Sequence, residues 1–484
     1  MTDAPTPVAS TGGRAFPADF LFGAATAAFQ IEGANHTDGR TDSIWDAFCR
    51  TPGAVVNGDD GSVADDHYHR YADDVALMAD LGLQSYRFST SWARIQPDGG
   101  PVNPKGLDFY SRLTDQLLEH GIKPWLTLYH WDLPQALEEA GGWRNRDTAY
   151  RFRDYALNVH AALGDRVPVW TTLNEPWCSA FVGYLAGSHA PGDRDPRAAL
   201  AATHHLLLGH GLAVQALREA DASLTLGLTL NLTVAKPLDP ERPGDVDAAR
   251  RIDGQMNRIF LDPIFRAEYP TDVLADVEQL GLTDHVQPGD LQIISTPIDA
   301  LGVNYYQGET VSDRVAPGPV HSEAPTERRT RSPFPAADEV YKHPQGRAQT
   351  AMGWDIQPDG LRELLGRVER EYTGPAGVQL YVTENGAAFD DQVAEDGAVH
   401  DADRVAFLLA HLGAILDAIT DGVPVRGYFY WSLMDNFEWA WGYQKRFGIV
   451  RVDYDTQQRT VKDSGAAYAR VIAARRLDPA AAEG

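Results

Sequence analysis

Ser85-Tyr86-Arg87-Phe88-Ser89, a helical pattern from Gly106 to His120, then Gly121 and Lys123-Pro124-Trp125-Leu126-Thr127-Leu128 form one repeat of strand, helix, glycine and strand. A glycine just past the last periodic apolar residue is a helix stop. The same punctuation closes the preceding helical segment, Tyr71 to Leu81, at Gly82. Working outward, short apolar runs recur at Phe20 to Ala25, Val169 to Leu173, Leu224 to Leu230, Asp299 to Asn304, Leu380 to Thr383 and Val425 to Trp431. Helical patterns separate most of them. Near-continuous apolar strands alternating with helices read as α/β, with a parallel sheet buried on both faces. Eight repeats predict closure into a single (β/α)8 TIM barrel with extended loops at the C-terminal face of the strands.

The 484 residues, 43% of them hydrophobic, suffice for a large core. The reading gives one barrel over residues 15–475, a flexible segment over 1–14 and a frayed tail over 476–484. The clearest insertion runs from Ser312 to Thr350, rich in Pro, Arg, Ser and Glu, and reads as a long loop on the active face. A net charge of -26 disfavours nucleic acid and anionic membrane as partners, since phosphate binding needs clustered Lys and Arg. No apolar run is long enough to span a bilayer, and residues 1–14 have no signal-peptide core. The two cysteines, Cys49 and Cys178, make no disulfide framework. Together these point to the cytoplasm. The oligomeric state is not encoded in any feature of the chain.

In such a barrel, working groups gather where strands end. Reading only those ends gives Gln30 with Glu32 after the first strand, Arg87 on the second, His130 and Trp131 after the third, and Asn174 and Glu175 after the fourth. The sixth supplies Asn304 and Tyr306, the seventh Glu384, and the eighth Trp431, Glu438 and Trp439. Amide, imidazole, carboxylate and indole groups hydrogen-bond vicinal hydroxyls and stack on a pyranose face. A phosphate site would show a Gly-rich loop and Lys. Glu175, in Asn174-Glu175-Pro176, and Glu384, in Thr383-Glu384-Asn385-Gly386, are the two carboxyls that glycosidic cleavage requires. Each motif alone is also an ordinary turn; it is their joint placement that points to chemistry. Asp65-Asp66-His67-Tyr68-His69 reads as the start of a helix, not as a metal site. His204, His205 and His210 read as structural or surface residues of a helix. Cys178 has no base at a suitable spacing to make it a nucleophile and reads as a wall of the cleft.

These segments jointly resemble family 1 glycoside hydrolases of the β-glucosidase type, from about Phe16 to Val471. The resemblance is carried by Phe20 to Ala27, Tyr86-Arg87-Phe88-Ser89, Tyr129-His130-Trp131-Asp132-Leu133-Pro134, Thr172 to Pro176, Asn304-Tyr305-Tyr306, Tyr381 to Gly386 and Trp431 to Trp439. It implies retaining hydrolysis of terminal β-linked sugars without a metal or other cofactor. It assigns Glu175 as acid/base and Glu384 as nucleophile. Tyr306 resembles the tyrosine that hydrogen-bonds the nucleophile and Arg87 the arginine that keeps it charged, with Asn304 grouped beside them. Gln30, His130, Asn174, Glu438 and Trp439 match sugar-binding positions, joined in the binding set by Trp131. Trp431 looks like the platform under the ring, and Trp354 is similar to an aglycone-side wall. Phe447 is a mild departure, which bears on fine specificity.

The expected substrate is a β-glucoside or cello-oligosaccharide, because Glu438 would repel a 6-phosphate. The alternatives are a broader galactoside or fucoside hydrolase, a transglycosidase using the same intermediate, and a non-catalytic sugar-binding barrel. The last would lack one glutamate, and both are present.

Overall fold

The computed structural model describes residues 14–316 and 332–477. Eight parallel strands close into a barrel: β1 Leu21–Ala25, β2 Ser85–Ser89, β3 Lys123–Tyr129, β4 Val169–Asn174, β5 Thr225–Asn231, β6 Ala300–Asn304, β7 Gln379–Asn385 and β8 Val425–Trp431. Each coincides with one of the eight apolar runs. Closure is made by β8 on β1, with Gly427 opposite Leu21 and Trp431 opposite Ala25.

Small and large residues alternate inside the barrel. A Cβ on Gly23 would lie 2.5 Å from the Phe429 ring, so only glycine leaves room for it. Trp125 meets Phe429 and Tyr381 edge-on at 5.0 and 4.9 Å, and its indole N–H donates to Thr171 Oγ1 at 2.8 Å. The bottom of the barrel is thus filled, and the open space lies at the strand C-termini.

The helices begin earlier than their periodicity suggests. His67–Asp80 and Pro104–Glu119 start four and two residues before the predicted Tyr71 and Gly106. Pro104 has no N–H to leave unsatisfied in a first turn. Gly82 and Gly121 end these helices at φ +74° and +72°, as their composition requires.

The insertion after β6 differs from the expected loop. Tyr341–His343 returns antiparallel onto Glu309–Ser312, which also pairs with Ala235–Pro237, making a three-stranded sheet. Residues 317–331 of that insertion lie outside the described residues. At the termini, Arg14–Ala15 pairs antiparallel with Arg476–Leu477; the rest of both terminal segments lies outside the described residues.

His204 and His210 are fully buried on the helix Pro196–Ala220, and His205 nearly so. His204 bonds Asp290 and Tyr269, and His210 bonds Thr172. Their role is internal, not on the surface. In the Asp65–His69 stretch, His67 pairs with Asp74 and His69 with Asp66. Among the described residues, no group of three or more His, Cys, Asp or Glu is placed to hold a metal ion. No described helix is long and apolar enough to cross a membrane.

Candidate active site

A cavity open to solvent lies over the C-terminal ends of the strands. Glu384, on β7, borders it. Arg87, fully buried on β2, donates from Nη1 to Glu384 Oε1 at 2.5 Å. The Tyr306 hydroxyl donates to Glu384 Oε2 at 2.8 Å. Both oxygens of this carboxylate are therefore held.

Glu175 follows the last residue of β4 and adopts φ +46°. Its amide donates to the Thr229 carbonyl of β5 at 2.9 Å, after which the chain turns away at Pro176. Asn304 ties the two acids' surroundings together. Its Nδ2 donates to Glu175 Oε1 at 2.5 Å and to Asn174 Oδ1 at 3.1 Å, and its Oδ1 accepts from Thr383 at 2.8 Å. Asn174 Oδ1 also accepts from Arg87 Nη2 at 2.6 Å. Cys178 donates from Sγ to Glu175 Oε2 at 3.1 Å.

Two more cavity residues are left-handed, Trp131 at φ +77° and Trp439 at +49°. Non-glycine residues rarely adopt this region, and for residues as bulky as tryptophan it marks backbone held by its surroundings. Asn174 Nδ2 donates to His130 Nε2 at 3.0 Å, which places the ring proton on Nδ1, and Nδ1 is buried without a protein partner. His130 is held neutral by burial, with Arg87 adding to the effect. Its ring stacks near Trp431, with centroids 5.8 Å apart.

The acids occupy unlike settings. Burial, and then the negative charge of Glu384, push Glu175 up to about 8; Asn304, Cys178 and Arg87 pull it the other way. Burial also raises Glu384, but Arg87 and Tyr306 oppose it directly. The proton the pair retains near neutrality therefore resides on Glu175.

Of the predicted site residues, Glu175, Glu384, Asn304, Tyr306, His130, Trp131, Trp431, Glu438, Trp439, Trp354, Phe447 and Cys178 line the cavity. Arg87, Gln30 and Asn174 are almost fully buried beside it. Gln30 is fully buried, donates to Asn436 Oδ1 and the Phe437 carbonyl, and keeps Oε1 without a protein partner. Sequence reasoning missed Trp177, His189, Gln307 and Phe334, which also line the cavity. Trp177 and Gln307 directly follow recognised motifs and were findable. His189 and Phe334 come from loops with no pattern.

The eighth-strand loop is clamped from below. Lys462, fully buried, bonds Asp391 at 2.5 Å and Asp435 at 2.6 Å, and Arg446 reaches the other Asp435 oxygen at 2.7 Å. Asn436 Nδ2 donates to Ser432 Oγ at 3.0 Å. Glu438 and Trp439 follow directly.

The family model described as Glycosyl hydrolase family 1 matches residues 13–477. The chain belongs to glycosyl hydrolase family 1. Its members include the thermostable β-glucosidase B of Thermobispora bispora, 52% identical over 96% of this chain and 92% of that protein. A bifunctional β-D-glucosidase/β-D-fucosidase of Bifidobacterium breve is 49% identical over 95% and 98%. Among solved structures, a psychrophilic β-glucosidase from Micrococcus antarcticus superposes with a TM-score of 0.93 at 57% identity, covering 96% of this chain and 98% of the other. The β-glucosidase of Thermotoga maritima in complex with castanospermine gives 0.87 at 46% identity, covering 96% and 99%. This family 1 chain is a glycosyl hydrolase, and retention is general to its family.

Proposed function

We propose that this enzyme is a β-glucosidase, releasing terminal non-reducing β-D-glucosyl residues from β-glucosides and cello-oligosaccharides. The observation that carries the reading is the pair of carboxyls on one cavity in opposite electrostatic settings. Glu384, between Arg87 and Tyr306, acts as nucleophile. Glu175, raised to about 8, acts as acid.

Glu384 attacks the anomeric carbon as Glu175 protonates the departing oxygen, leaving a covalent glycosyl-enzyme. The glycosyl ester removes the charge of Glu384, so Glu175 loses one cause of its raised pKa and becomes the base. It then takes a proton from water, whose oxygen bonds the anomeric carbon and frees Glu384. Trp131 and the neutral His130 orient the sugar, His130 through its Nδ1–H, while Asn304 holds Glu175 and Asn174 in place. Gln30, Asn174, Glu438 and Trp439 complete the hydroxyl partners, and Trp431 forms the platform. Trp354, 5.3 Å from the Tyr306 ring and 6.0 Å from Phe447, forms the wall where the aglycone leaves.

The reading includes short cello-oligosaccharides from cellulose breakdown and a cytoplasmic setting. In support of the latter, neither Cys49 nor Cys178 is in a disulfide. A side activity on β-fucosides is favoured by the similarity to the bifunctional Bifidobacterium breve enzyme. The test is a panel of 4-nitrophenyl β-glycosides together with cellobiose and cellotriose. The glucoside is expected to give the highest kcat/KM among the aryl glycosides, with fucoside and galactoside behind. A panel in which another sugar exceeds the glucoside tenfold overturns the reading.

A further inference from the structure

Cys178 is the first residue of a wide-turned helix, Cys178–Ala186, and its amide donates to the Glu175 carbonyl at 2.9 Å. Its side chain lines the cavity. Two contacts give the thiol a direction. Asn231 Nδ2, from the end of β5, approaches Sγ at 3.7 Å as a donor. With sulfur accepting there, the S–H is turned to Glu175 Oε2, 3.1 Å away. Asn304 occupies Oε1 of the same carboxyl. The proton of the acid form is therefore carried on Oε2, the oxygen the thiol touches.

We propose that Cys178 is a positioning residue for the acid/base, a thiol oriented by Asn231 that donates to Glu175 Oε2 and favours the ionised carboxylate. The inference rests on the assignment of Glu175 as acid/base. A donor bonds an ionised oxygen more strongly than a neutral one, so the thiol assists the moments when Glu175 has given up its proton. It strengthens as the proton passes from Oε2 to the departing oxygen. It holds Oε2 open as acceptor while water gives up its proton in the second half-reaction. The sulfur exchanges no proton in either step.

The charged and titratable groups facing Glu175 are Glu384 on β7, Arg87 on β2 and the Tyr306 phenol after β6. His130, after β3, is neutral.

The experiment is the pH dependence of 4-nitrophenyl β-glucoside hydrolysis by Cys178→Ala and Cys178→Ser. In kcat/KM, the basic limb reports protonated Glu175 in the free enzyme. In kcat for a 2,4-dinitrophenyl glucoside, limited by deglycosylation, the acidic limb reports ionised Glu175. Removing a donor to the ionised form raises both. Cys178→Ala is expected to move both limbs upward by about half to one pH unit, within the range of a single hydrogen-bond effect. Cys178→Ser, which keeps a donor, restores them to the wild-type position or below. A Cys178→Ala profile that keeps both limbs in place and merely lowers the plateau overturns the proposal, as does a downward shift.

If Cys178→Ala does not fold, the thiol of folded Cys49→Ala enzyme is capped with methyl methanethiosulfonate. The capped enzyme must show the same upward shift, reversed by dithiothreitol; an unshifted capped enzyme overturns the proposal equally. Glu175→Gln separates the two assignments. If it retains the basic limb, the acid/base assignment fails. If it loses the limb while Cys178→Ala leaves it unmoved, only the thiol's role fails.

Discussion

Arg87 and Tyr306 occupy both oxygens of Glu384, the proposed nucleophile, and Glu175 is its less charged counterpart. Glu384→Ala is expected to abolish hydrolysis, and external azide to restore turnover as the inverted α-glycosyl azide, identified by NMR of the product. Ordinary hydrolysis by that variant contradicts the nucleophile assignment. Glu175→Ala is expected to lose little kcat/KM with 2,4-dinitrophenyl glucoside, whose leaving group needs no acid, and at least about 100-fold in kcat/KM with cellobiose, within the usual contribution of a general acid. Equal losses on both substrates contradict the acid role. The sign of the pH dependence follows from the raised value of Glu175: the acid form is complete well below 8 and disappears as pH rises through about 8, so kcat/KM falls there. The residue types were legible in the sequence because each follows an apolar run. Their left-handed conformations were not, since Glu175, Trp131 and Trp439 adopt positive φ under constraints set by distant partners.

At the level of elements, the loop after β8 is fixed by charges remote from the cavity. Lys462 precedes the helix Asp463–Ala474, and its ammonium lies between Asp391 and Asp435. Asp435 stays below its usual range despite full burial, because Lys462 and Arg446 outweigh desolvation. Lys462→Met would leave two buried carboxylates short of a cation. It is expected to lower stability by about 3–5 kcal/mol and to raise KM for glucosides several-fold by loosening Glu438 and Trp439. Urea unfolding and steady-state kinetics measure the two effects; an unchanged midpoint contradicts the account. Nothing in Val461-Lys462-Asp463 announces this role, because burial of a lysine is decided by packing. The strands were legible because burial on both faces makes their apolar runs continuous. Tyr341–His343 was not, since a three-residue strand pairing beside the barrel carries no period long enough to read.

Across the whole molecule, charge reinforces the pocket's choice of sugar. The chain carries 68 acidic against 42 basic residues, and Glu438, Glu384 and Glu175 line the cavity itself. A glucoside with a 6-phosphate must approach through a negative field and seat its charge among carboxylates. Its kcat/KM is expected to lie at least about 100-fold below that of the neutral parent, and the gap to narrow with added salt as long-range repulsion is screened. Comparable rates for the two nitrophenyl substrates at low ionic strength contradict this. The expectation against a nucleic-acid partner rests on the same charge, and composition alone carries it. The outer shape of the cavity was not legible, because Phe334, Met352 and His189 come from three separate loops.

The anchored loop after β8 also bears on how guests arrive. With Asp435 fastened by Lys462 and Arg446, and Asn436 fastened by Ser432, the walls that grip the sugar are in place before it enters. A stiff ring mimic then finds its mould already cast and forfeits little freedom on entry. Affinity among such mimics is then set by how well each reproduces the flattened, cationic ring.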